Sequence, residues 1–163
     1  MNLKDFNSLN EAIDKKKPIL VSACLVGIKC RYDETGCLVE ELRDLTLQGQ
    51  AIVVCPEVLA GLPTPRNPSE IVVVNDERKV YNDDKSEVTD SFALGAEITL
   101  GVARKSGAKI AILKSKSPSC GCGKVYDGSF TGKLVDGDGF TTAMLKENGL
   151  RVITEEDFRE CLN

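Results

Sequence analysis

Histidine is absent from the 163 residues of this chain. That removes the commonest general base, every Ser/His or Cys/His nucleophile, and any metal site that needs imidazole. Proton transfer then falls to Asp, Glu, Lys, Tyr, Cys or water. A basic surplus is also missing: the net charge is -4 and the isoelectric point near 5.0, which gives no footprint for nucleic acid. No apolar run approaches the roughly 20 residues that a membrane span requires. The opening stretch MNLKDFNSLNEAIDKKK lacks the apolar centre of a signal peptide, so a reducing, cytoplasmic setting is expected. Repeats, linkers and low-complexity tracts are missing too. The glycine runs GCG and DGDG have neither the Lys-Ser/Thr of a P-loop nor dinucleotide spacing, so nucleotide binding gains little support.

Cysteine, by contrast, is plentiful. Seven thiols, an odd number, in a chain expected to stay reduced favour metal, cluster or redox chemistry over disulfides. Three of them end apolar runs: Cys24 closes ILVSAC, Cys55 closes AIVVC and Cys120 closes KIAILKSKSPSC. If the runs are neighbouring parallel strands, three thiols distant in sequence meet at one sheet edge, where open α/β sheets bind ligands. Cys161, beside Leu162, reads as a small hydrophobe.

The pattern predicts one α/β domain over residues 1–163, with a mostly parallel central sheet between helical layers and the cysteines at the carboxyl edge. Strands are expected near 18–24, 51–55, 108–114 and 151–154. Helices are expected near 39–48, closed by Gly49, and near 140–148. A long helix, with Phe92, Ala96, Leu100 and Ala103 on one face, is expected to be capped by Thr89 or Asp90 and closed by Gly107. A short terminal helix follows a Thr154 cap. VVV and KVYN form a small hairpin. The proline-rich stretch after Cys55 reads as an irregular loop rather than an element, and residues 115–139 as a Gly/Ser-rich functional loop with little structure of its own.

Soft thiolates select iron–sulfur clusters, zinc or copper(I). Three thiolates on a cubane leave one iron free to act as a Lewis acid, whereas four fill it. Zinc held by Cys24, Cys30, Cys55 and Cys120, or a sulfur-handling Cys120/Cys122 pair, is the alternative. The spacings are not the paired Cys-x-x-Cys of zinc ribbons. Glu57, two residues beyond Cys55 and past a proline, is positioned to deprotonate water. Ser115, Ser117 and Ser119 alternate after the third strand, so an extended chain would present their hydroxyls on one side to a ring carbonyl or nitrogen. Asp33 and Asp127 sit in similar Tyr-Asp turns, where aspartate ordinarily bonds its own backbone, and Asp33 is the candidate exception because it shares a loop with Cys24. Lys114 and Arg66 are candidates to orient an anionic or polar substrate, although charged loop residues are ordinarily solvated.

Four blocks carry a resemblance: VSACLVGIKCRYDETG, VCPEVLAGLPTPRNPSEI, KSKSPSCGCGKVYDGSF and DGDGFTTAMLKENGLRVI. In content and order they resemble the signature segments of a bacterial family, some of whose members are 2-thiouracil desulfidases. The resemblance spans roughly residues 18 to 154. It implies a [4Fe-4S] cluster held by Cys24, Cys55 and Cys120, with one iron free of protein ligands. It further implies removal of sulfur from a small thiolated substrate without net redox change, and a catalytic acid at Glu57. Ser115 and Asp33 are the further catalytic candidates, with Ser117 and Ser119 expected to bind substrate. The partner class is a small thio-compound rather than nucleic acid or membrane.

Overall fold

The computed structural model describes residues 3–162, with side chains from residue 7 onward. Its centre is a four-stranded, wholly parallel sheet built from β1 (Ile19–Ser22), β2 (Ala51–Val54), β5 (Ile110–Leu113) and β8 (Arg151–Thr154), in the order β2-β1-β5-β8. Both faces are covered. Because successive strand residues point to opposite sides, Ile19, Val21, Ile110, Ile112 and Ile153 pack against α1 (Leu3–Asp14), α2 (Glu40–Leu47) and α6 (Glu155–Leu162). Leu20, Val54, Ala111, Leu113 and Val152 pack on the other side, against α4 (Thr89–Ser106) and α5 (Phe140–Glu147). Buried on both faces, these strands are continuous apolar runs rather than alternating ones, as parallel strands are.

Two antiparallel hairpins stand outside the sheet. β3 (Ser69–Val74) pairs with β4 (Glu77–Asn82), and β6 (Lys124–Tyr126) with β7 (Leu134–Asp136). They share a small core with α4 through Ile71, Val80, Phe92 and Val125.

The strand order locates the site. From β1 the chain moves outward to β2, then returns to the opposite side of β1 for β5 and outward again to β8. The direction of winding reverses between β1 and β5, so the loops leaving their carboxyl ends diverge and open a crevice.

Several local expectations are corrected. The N-terminal segment, read only as polar, forms α1. The irregular stretch after Cys55 begins with a helical turn, α3 (Pro56–Leu59), started by a proline at its first position, where the missing N–H costs nothing. Residues 115–139 contain the β6–β7 hairpin. The N-cap position of α4 is Val88, not Thr89 or Asp90, and it makes no side-chain cap. Thr89 Oγ1 instead accepts the Val80 N–H at 3.0 Å and donates to Glu87. At the other end, Gly107 closes α4 in the left-handed conformation (φ 75°). Before α6, Thr154 and Asp157 cap each other reciprocally: Asp157 N donates to Thr154 Oγ1 at 3.0 Å, and Thr154 N donates to Asp157 Oδ2 at 2.9 Å.

Candidate functional site

Three thiols arrive at the crevice by three different local devices. Cys24 lies on the 3-10 turn Ala23–Val26 that leaves β1 directly and closes at Gly27, whose φ is 93°. Cys55 follows β2 and is the N-cap residue of α3. Cys120 follows β5 by seven residues, in a turn closed by the Gly121 N–H donating to the Ser117 carbonyl at 2.8 Å. That turn is seated on the N-terminus of α5. The N–H groups of Phe140, Thr141 and Thr142, which lack partners inside the helix, donate to the carbonyls of Pro118 and Ser119 at 2.9 to 3.2 Å. Thr142 Oγ1 donates to the Cys120 carbonyl at 2.8 Å.

Together with Cys30, the three thiols line one cavity of about 350 Å³. Its wall also includes Glu57, Arg66, Glu70, Lys114, Ser115, Ser117 and Ser119. Burial and neighbouring thiols favour the protonated form of Cys30, Cys55 and Cys120. The Cys24 thiol beside it, with burial, pushes the Cys30 thiol up to about 11, against an opposing hydrogen bond to Cys55. Cys55 is raised well above the ordinary thiol value by Cys30 and burial. Cys120 is pushed up to about 12 by burial, opposed by the Ser22 hydroxyl, which donates to it at 3.4 Å, and by the nearby Ser119 hydroxyl at 3.6 Å. Ser22 Oγ also accepts the Lys114 N–H at 3.0 Å, tying the ends of β1 and β5 to that sulfur.

Glu57 is the most constrained acid in the cavity wall. Arg66 donates to Glu57 Oε2 through Nε at 2.8 Å and Nη2 at 2.7 Å, and Ser119 Oγ donates to Oε1 at 2.9 Å. Arg66 is itself clamped, donating to the carbonyls of Cys30 and Pro63 and to Thr64 Oγ1 at 3.0 to 3.2 Å. It is 9% exposed rather than solvated, and it links the Cys24–Cys30 segment to the α3 segment.

The three serines do not share one side. The backbone turns at Lys116, whose φ is 64°, so the chain does not stay extended. Ser115 Oγ lies 2.9 Å from Glu155 Oε1 and 3.2 Å from Glu156 Oε1, and the Ser115 N–H donates to Glu155 Oε2 at 2.7 Å. Ser117 and Ser119 face each other at 3.0 Å, and Ser117 Oγ accepts the N–H groups of Ser119 and Cys120. Lys114 is paired with Glu155, a residue buried at the start of α6 and not singled out by the sequence. The turn beside Glu155 was visible in the sequence as a helix start. Its reach across β8 to the end of β5 was not.

Asp33 does not join the cavity wall. Its Oδ1 accepts the Thr35 hydroxyl at 2.6 Å and the Thr35 N–H at 3.2 Å, which holds the carboxyl below its ordinary range and closes an exposed turn. Asp127 does the same with Ser129. Cys122 faces away, its thiol 3.5 Å from the Val152 carbonyl. Cys37 packs at the edge of the core, its sulfur 3.5 Å from Arg31 Nη1. Cys161 donates to the Asp157 carbonyl at 3.1 Å, within α6.

The family model described as 2-thiouracil desulfurase matches residues 19–157, which include all the cavity residues. An uncharacterized protein of Bacillus subtilis (strain 168), YbbK, is 42% identical over 150 residues, spanning 88% of this chain and 99% of its own. The solved structure of the [4Fe-4S]-dependent thiouracil desulfidase TudS superposes with a TM-score of 0.81 at 40% identity, covering 90% of this chain and 95% of that one. On the extent of the family match and on the identity shared with both relatives, the chain belongs to the 2-thiouracil desulfurase family.

Proposed function

We propose that the protein removes sulfur from a thiolated pyrimidine of the 2-thiouracil type by hydrolysis, with Cys24, Cys55 and Cys120 as ligands of a [4Fe-4S] cluster. The observation that carries this reading is the convergence of three thiols, from three separate chain segments, on a cavity that also holds a fixed carboxylate. The donor set suits the group. It is all sulfur in a chain without histidine, and soft thiolates are the ligands of iron–sulfur centres. Each thiol comes from its own chain segment, and a cubane takes one thiolate per iron. Among the described residues no three Cys, Asp or Glu side chains are grouped to share a single ion. The Cys120/Cys122 alternative lacks support because the two thiols face different ways.

When bound, the cluster supplies a Lewis-acidic iron with affinity for sulfur. The protein's own groups supply the proton handling. With Oε2 held by two nitrogens of Arg66, Glu57 presents Oε1 to accept a proton from the water that attacks the thiocarbonyl carbon. Ser119, now donating to Oε1, turns its hydroxyl between Glu57 and Ser117 as the proton moves. Lys114 and Ser115, fixed by Glu155, set the wall on the β5 side. The overall change replaces C=S by C=O and consumes one water per hydrogen sulfide released, with no electrons exchanged.

The test is turnover of 2-thiouracil by anaerobically reconstituted protein in water labelled with heavy oxygen, with no electron donor added. The proposal expects sulfide and uracil in equal amounts, with the label in the new carbonyl. Sulfide that appears only with a reductant, or uracil without the label, would overturn the hydrolytic reading.

A further inference from the structure

Glu70 is a buried carboxylate that the proton-handling chemistry does not use. It lies on β3, 8% exposed, and lines the cavity together with the cysteines. Its Oε2 accepts two backbone N–H groups, from Gly128 at 2.9 Å and Phe130 at 3.0 Å. Both donors belong to the turn between β6 and β7, which is curled back by left-handed residues: Gly128 has φ 88° and Phe130 has φ 56°. The turn presses so closely on β3 that a Cβ on Gly128 would stand 2.8 Å from the Ile71 carbonyl oxygen. One oxygen of Glu70 is therefore fixed by the backbone. The other, Oε1, has no hydrogen-bond partner among the described residues.

The cations of the cavity wall are already engaged. Arg66 is paired with Glu57, Lys114 with Glu155 and Lys116 with Glu156, while Arg31 donates to Thr35 Oγ1 at 2.8 Å. Of the two carboxylates lining the cavity, Glu57 has its arginine and Glu70 has no cation. An ionised carboxylate is an acceptor only, and Oε1 is not a buried orphan but an accessible acceptor at the cavity wall, where an entering ligand can supply a donor.

We propose that Glu70 Oε1 is the substrate-binding acceptor for a ring N–H of the heterocycle, and that it selects lactam or thiolactam rings unsubstituted at that nitrogen. This inference rests on the desulfurase reading for the identity of the ring. A cyclic thiourea carries N–H groups on both sides of its C=S carbon, so an acceptor on β3 grips the ring edge while the sulfur turns toward the thiols. A ring alkylated at the gripped nitrogen loses the hydrogen bond and covers Oε1 without giving it a partner, while Oε2 keeps its two N–H donors. Sites built to accept a substrate N–H reject such analogues strongly for this reason.

Glu70→Gln separates recognition from folding. The Gln carbonyl can keep the Gly128 and Phe130 N–H groups, which turns its NH2 toward the cavity and replaces an acceptor by a donor. The experiment is calorimetric titration of the reconstituted protein, wild type and Glu70→Gln, with uracil, 1-methyluracil and 3-methyluracil. Sulfide release from 2-thiouracil is measured on the same preparations. The wild type is expected to bind one of the two methyl derivatives about 10- to 100-fold more weakly than uracil, the loss of one hydrogen bond to a charged acceptor. Glu70→Gln is expected to bind uracil more weakly by a similar factor and to lose the preference between uracil and that derivative. Equal binding of all three rings by the wild type, no uracil binding at all, or a preference that survives in Glu70→Gln would each overturn the inference. The wild-type comparison stands even if the variant misfolds. Sulfide release without a Glu70-dependent preference overturns this inference alone, whereas the preference without sulfide release overturns the reaction reading alone.

Discussion

Arg66 donates through Nε and Nη2 to the same carboxylate oxygen of Glu57, at 2.8 and 2.7 Å, and leaves the other oxygen to Ser119. The two oxygens of Glu57 therefore have different duties, one for orientation and one for proton transfer. Glu57→Gln keeps the size and loses the basicity, so turnover is expected to fall about 10²- to 10⁴-fold with cluster content unchanged. Arg66→Lys cannot reproduce a planar guanidinium that holds Glu57, Cys30, Pro63 and Thr64 at once, and a drop of about 10-fold or more is expected. Steady-state rates with parallel iron and sulfide analysis check both. Unchanged rates in Glu57→Gln would remove it as the base.

The cysteines divide by where they point. Cys24→Ala, Cys55→Ala and Cys120→Ala are each expected to lose the cluster, while Cys122→Ser, whose thiol faces Val152, keeps it. Cys30 is the sharper case, since its thiol interacts with both Cys24 and Cys55 inside the cavity. If one iron is open, Cys30→Ser retains four irons per chain. Loss of iron in that variant would make Cys30 the fourth ligand and close the position that the chemistry requires.

Gly95 is expected to invert an ordinary rule. Replacing glycine by alanine inside a helix usually gains roughly 1 kcal/mol. Here a Cβ on Gly95 would stand 2.3 Å from the Pro56 carbonyl oxygen, where α4 passes under the start of α3. Gly95→Ala must push apart the helices that position Cys55 and Glu57, at a cost of about 1–3 kcal/mol. A melting temperature several degrees lower and reduced turnover are expected. A more stable Gly95→Ala would refute the close approach.

Glu155 holds the β5 side of the cavity by accepting from Ser115 N, Ser115 Oγ and Lys114. Glu155→Ala strands a buried N–H and a partly buried ammonium, and a loss of about 2–4 kcal/mol is expected in denaturant unfolding. Glu155→Gln keeps an acceptor for the Ser115 N–H and is expected to lose about half as much.

The parallel sheet was legible because its strands are short, doubly buried apolar runs separated by helical spacing. The cysteines were legible because each lies just beyond such a run. The pairing of Glu155 with Lys114 was not, since it joins residues 41 apart through the register of β5 on β8. Glu70 carries no signal in the sequence because its backbone partners, Gly128 and Phe130, lie 58 and 60 residues away in a turn that the composition presents only as a polar loop. The serine alternation fails for a local reason: the positive φ of Lys116 sends Ser115 toward α6, while Ser119 faces Glu57 and Ser117 faces Ser119. Asp33 misled because sharing a loop with Cys24 does not bring its carboxyl into the cavity wall, and its Thr35 hydrogen bonds are those of a surface turn.

The most direct measurement of the central claim is sulfide release from 2-thiouracil after anaerobic reconstitution with iron and sulfide, comparing the wild type with Cys24→Ala. The account predicts a cluster and catalytic sulfide release in the wild type, and neither in Cys24→Ala. Equal sulfide release by the variant, or a wild type that assembles no cluster under these conditions, would contradict it.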